Sequence, residues 1–73
     1  MNILTYKGYH GHFDYDSETN LFQGEVLDLS DIITFQGHTL EELKRGLRDA
    51  IEHYLEFCDL AGQTPEAPVF LTV

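Results

Sequence analysis

The chain has 73 residues, with four Lys and Arg against thirteen Asp and Glu and a formal net charge of -9. That length allows one domain near the lower limit for a self-sufficient core, where disulfides, metal or self-association usually add support. Its single cysteine, Cys58, excludes an internal disulfide and a cysteine zinc site, while the acidic balance opposes binding to phosphate backbones or anionic lipid and favours a basic protein partner.

The first predicted strand covers 3–16. From Tyr9, the residues Tyr9, Phe13 and Tyr15 alternate with His10, His12, Asp14 and Asp16, the period of two of a half-buried strand. Gly8 and Gly11 are expected to mark a bend or bulge within it. Residues 16–20, DSETN, carry turn chemistry. Alternation resumes in a second strand over 20–28, with Phe22, Gly24 and Val26 on one face and Gln23 and Glu25 on the other, so the two strands form a hairpin. A connection over 28–31 leads to a third strand over 31–36. A helix is predicted over 40–61, with Thr39 as its N-cap and Glu42 completing a capping box. Leu43, Leu47, Ala50, Ile51, Tyr54, Leu55, Cys58 and Ala61 draw one apolar stripe along it. Glu41–Arg45 and Arg48–Glu52 have the four-residue spacing of helical ion pairs. Gly46, unfavourable inside a helix, marks a close approach by another element. Gly62 and Pro65 stop the helix, and a final strand is expected over 69–73. The predicted fold is α+β: a β-β-β-α-β chain whose small, mostly antiparallel sheet is covered by one long helix. Ile33, Phe35, Leu40 and Leu43 are expected in its core.

No arrangement of residues argues for catalysis. His10, His12 and Asp14 point the same way from one strand and are the nearest approach to a metal-ligand set. Three ligands along a single strand nevertheless span more than one ion reaches, so a polar strand face is the preferred reading. His38 and His53 have no visible partner in the sequence. Cys58 falls in the apolar stripe, where a thiol is inert. Ser17 and Ser30 sit in turns without a neighbouring base, and Gly24, Gly37 and Gly46 form no phosphate loop. The expected protein is not an enzyme and needs no cofactor. Without a leader or membrane-spanning segment recognisable in the sequence, the expected location is the cytoplasm.

LFQGEV at 21–26, DIITFQG at 31–37, TLEEL at 39–43 and DAIEHYLEFC at 49–58, together with the spacing between them, resemble the N-terminal domain of HicB-family antitoxins. The resemblance covers nearly the whole chain. It implies a partial ribonuclease H-like fold and the neutralisation of a basic, HicA-like toxin that cleaves RNA with a catalytic histidine. Such a fold raises the thought of metal-assisted phosphoryl transfer by Asp14, Asp16, Glu25, Asp28 and Asp31. Their dispersal over a polar strand face and loops argues against it, and fold alone does not carry function. Family members commonly continue beyond a segment like 69–73 into a DNA-binding domain, so these 73 residues are not themselves expected to contact nucleic acid. Asp14, Asp16, Glu18, Glu25, Asp28 and Asp31 are the expected toxin-binding acids, because they lack basic neighbours, whereas the helix acids alternate with Arg45 and Arg48. Self-association as a dimer, or a dimer of dimers, is expected from the apolar groups one helix cannot cover. The alternative function is a stand-alone oligomeric interaction or regulatory module with no toxin. A metal-dependent enzyme built on His10, His12 and Asp14 is a third reading.

Overall fold

A computed structural model describes residues 2–66 of the chain. Four strands, β1 (Asn2–Tyr6), β2 (Tyr9–Asp16), β3 (Leu21–Val26) and β4 (Thr34–Gly37), precede one helix, α1 (Leu40–Leu60). The strands form a single antiparallel sheet in the order β1-β2-β3-β4. The architecture is therefore α+β with one long helix, but with four strands before it rather than three. The final strand expected over 69–73 lies outside the described residues.

The additional strand arises where one long strand was expected over 3–16. Lys7 and Gly8 both have positive φ, 51° and 84°, as a two-residue type I′ hairpin turn requires. Tyr6 then faces Tyr9, and the register continues to Asn2 opposite Phe13. Gly8 is thus the turn itself. Gly11 is no bulge, because it sits in an unbroken ladder between Leu4 and Val26. The second strand spans 21–26, inside the expected 20–28. β4 begins at Thr34, three residues later than expected, because 31–33 run in the connection from β3.

One face of the sheet lies under α1. Tyr9, Phe13, Val26 and Phe35 from the strands pack with Leu43, Leu47 and Ile51 from the helix. Each such side chain contributes roughly 1.5–3 kcal/mol when fully buried. The helix stripe is as the periodicity predicts, with Tyr54 and Cys58 also buried. Phe35 is core and Ile33 partly so, but Leu40, the first residue of α1, is 48% exposed and not part of the core. Gly46 lets the helix approach β4, where a Cβ would lie 3.0 Å from the Gln36 carbonyl oxygen.

Both helix ends are satisfied locally. The Thr39 hydroxyl accepts the Glu42 N–H at 3.0 Å. The Glu42 carboxylate accepts the N–H of His38 at 2.8 Å, one residue further out than in the usual reciprocal box. His38 does have a side-chain partner, since its Nδ1 lies 3.0 Å from the Asn20 carbonyl oxygen. At the other end Gly62 has φ 71°, its N–H reaches the Asp59 carbonyl, and the Gln63 N–H reaches that of Cys58. This is the Schellman arrangement.

Of the helical ion pairs expected at four-residue spacing, Arg48–Glu52 gives way to a tertiary pair. Glu52 takes Lys7 at 2.8 Å and the Tyr6 hydroxyl at 2.5 Å. Lys7, and then Tyr6, hold its carboxyl below the ordinary range. Arg48 instead meets Asp49 at 3.5 Å, and no Glu41–Arg45 pair forms among the described residues.

Candidate functional site

The sheet register decides where the candidate acids stand. On the face away from α1, Asp14 is opposite Gln23, and His12 is opposite Glu25. The His12 Nε2 lies 3.9 Å from Glu25 Oε1. Asp16 is at the end of β2, where its Oδ1 accepts the Glu18 N–H at 3.0 Å and shapes the turn. Asp28, with φ 63°, and Asp31 belong to the connection at the other end of β3. The six acids therefore occupy the outer sheet face and two opposite ends, and they do not form one cluster. His10, His12 and Asp14 share the outer face, and the His10 ring meets the Thr5 hydroxyl at 3.3 Å. Among the described residues no three His, Cys, Asp or Glu side chains converge to hold a metal ion. Cys58 is buried.

An apolar groove that periodicity alone did not single out lies on the β4 side of the helix. Asp31, Ile32, Ile33 and Thr34 form one wall and Ala50, His53, Tyr54 and Phe57 the other, of a shallow, open groove of about 460 Å³. Ile32 is 81% exposed, Phe57 57% and Leu60, one turn further along the helix, 81%. Part of the signal was present in the sequence: Ala50 and Tyr54 belong to the apolar stripe, and 53 and 57 stand at helical spacing beside them. Its meaning depended on knowing that Ile32 lies in a connection rather than in a strand.

That connection is held from three directions. The Val26 N–H donates to the Ile33 carbonyl at 2.9 Å, and the Leu27 N–H to that of His10 at 2.8 Å. The Ser30 N–H donates to the Glu66 carboxylate at 2.9 Å. Glu66 is itself fixed, because its N–H donates to the Tyr54 hydroxyl at 2.9 Å and its carbonyl accepts the Tyr9 hydroxyl at 2.6 Å. The two tyrosine rings meet edge to face at 6.3 Å. Ser30, through its side chain and its backbone, lowers the Glu66 carboxyl below its ordinary value, while burial raises both Tyr9 and Tyr54. This latch was missed in the sequence because its members are far apart in the chain.

Large apolar side chains thus stand in solvent beside Asp31, on a molecule dominated by negative charge. No helix among the described residues is long and apolar enough to cross a membrane. No model of a known family, no curated protein and no solved structure matches the chain.

Proposed function

We propose that the chain is an antitoxin-type protein that neutralises a basic, HicA-like ribonuclease toxin in the cytoplasm by covering its RNA-binding and catalytic surface. The observation that carries this reading is the groove between Ile32 and Phe57 with Asp31 at its rim. Monomeric proteins seldom leave several large apolar side chains clustered in water unless the patch is an interface. Exposed apolar anchors beside acids fit a partner whose surface is apolar at its centre and basic around it. The resemblance to HicB antitoxins supports the choice of a toxin as that partner. Asp31 makes direct contact, while Asp14, Asp16, Glu18, Glu25 and Asp28 steer the toxin by their field.

A second reading, a self-associating interaction module without a toxin, draws on the same exposed apolar groups. Mixing the chain with the product of an adjacent reading frame, a basic protein of under about 100 residues, separates the two. Ile32→Asp with Phe57→Lys should weaken the complex by at least about thirtyfold, the loss typical of two central anchors. Replacing Asp14, Asp16, Glu18 and Asp31 by their amides should mainly slow association and reduce its salt dependence. Unchanged binding by the groove variant rejects the groove as the toxin site. Light scattering in which that variant becomes monomeric without losing the toxin assigns the groove to self-association instead.

A further inference from the structure

The helix has a second flank, on the β1 side. There a groove of about 590 Å³ is lined by Leu4, Thr5, Tyr6, Leu47 and three cations, Lys44, Arg45 and Arg48, with Glu41 as its one carboxylate. Lys7, the remaining cation of the chain, sits in the turn that ends β1. All the positive side chains of an acidic protein are thus collected on one side. Lys7 is engaged by Glu52, Arg48 meets the exposed Asp49 and acts electrostatically on Glu52 as well, and Lys44 and Arg45 make no ion pair among the described residues.

β1 is also an edge strand. Its sequence, NILTY, contains no charge and no proline, so it lacks the devices that usually protect a sheet edge from pairing. The two-residue turn makes Tyr6 and Tyr9 a hydrogen-bonded pair. Ladder alternation then directs the N–H and C=O of Ile3 and Thr5 away from β2. β4, the other edge, is closely roofed by α1 at Gly46.

We infer that this flank is a docking site for an extended acidic peptide segment of another protein, which adds as a strand beside β1 and places alternate carboxylates against Lys44, Arg45 and Arg48. Backbone hydrogen bonds to the edge supply general affinity, and alternate side chains supply selectivity. Leu4 and Leu47 provide an apolar floor between the charges. Neither residues 67–73 nor the β1 edge of a second copy supplies the segment. Residues 67–73 carry no acidic side chain, and two copies joined edge to edge through β1 would bring like-charged flanks together. A short peptide with a few carboxylates stays within the roughly 8–10 Å over which the local cations act. A nucleic-acid polyanion would extend onto the acidic remainder of the surface and has no peptide backbone to pair with β1.

The test is a titration of the full chain, followed by amide chemical shifts at low salt, with a short capped peptide of alternating Val and Glu. The expected result is perturbation concentrated at Asn2–Tyr6 and at 44–48. Binding should be about tenfold weaker for the Val–Gln peptide, the factor that three exposed ion pairs supply together. The same loss is expected for the K44Q/R45Q/R48Q variant at an unchanged melting temperature. Equal binding of the Val–Gln peptide, shifts located elsewhere, or equal binding of oligothymidylate would overturn the proposal. So would blockage of the edge by self-association through β1. The peptide comparison uses the unaltered protein and decides the matter even where the variant fails to fold.

Discussion

The ring of Phe35 lies across two glycines, Gly11 and Gly24, on neighbouring strands. A Cβ placed on Gly11 would be 2.6 Å from Cε1 and 2.7 Å from Cζ of Phe35, and 3.3 Å from a Leu47 methyl. Ordinary carbon contacts need about 3.5–4.0 Å, so Gly11→Ala displaces the ring by roughly 1 Å into a packed layer. Overpacking of that kind costs about 1–3 kcal/mol. A domain of this size has only roughly 4–11 kcal/mol of stability at the usual 0.05–0.15 kcal/mol per residue. A loss of about 2 kcal/mol should lower the melting temperature by roughly 8–16 °C. If the ring is the obstacle, Phe35→Leu should recover part of the loss, and urea unfolding of the four members of the cycle should give a favourable coupling of about 1 kcal/mol. Gly24→Ala is the internal control. Its Cβ would meet Phe35 Cζ at 2.5 Å but also the backbone oxygen of His12 at 2.5 Å, and no side-chain change removes the latter. Phe35→Leu should therefore rescue Gly11→Ala more than Gly24→Ala. Equal rescue, or none, would refute the assignment of the strain to the ring.

Thr39→Ala removes the hydroxyl that accepts the Glu42 N–H and should cost about 1 kcal/mol; an unchanged unfolding midpoint would place the helix start elsewhere. The lowered carboxyls of Glu66 and Glu52 lend stability that is present in full above their ordinary value of 4.5 and is lost as pH falls below it through their lowered folded values. Glu66→Gln should consequently flatten the acid limb of stability against pH while also loosening the 28–33 connection. Hydrogen exchange at Ser30, together with unfolding midpoints from neutral pH downwards, checks both effects, and an acid limb as steep as the parent's would contradict the latch.

Local rules were enough for α1. The Thr39 cap, the Leu43–Leu47–Ile51–Tyr54–Cys58 stripe and the Gly62 stop are each encoded within a few residues, and each is seen in the structure. The β2–β3 hairpin was readable for the same reason, since alternation and turn chemistry are short-range. The β1–β2 turn was also encoded, though more faintly. Helix-facing residues move from even positions, Leu4 and Tyr6, to odd ones, Tyr9 and Phe13, as they must when two residues form a turn. Treating 3–16 as one strand overlooked that change of parity. The candidate surfaces were a different matter. Glu52 has a suitable helical partner at Arg48, yet Lys7 and Tyr6 take it across the fold because the hairpin turn carries them to the helix. Ile32 looks like a strand residue until Glu66, from beyond the helix, anchors Ser30 and the connection leaves Ile32 facing solvent. The segregation of cations to the β1 flank likewise depends on which side of the helix each strand lies. Caps, stripes and turns depend on residues three to five apart, which the chain brings together by itself, whereas grooves and charge partners depend on segments that meet only after the sheet and helix have packed.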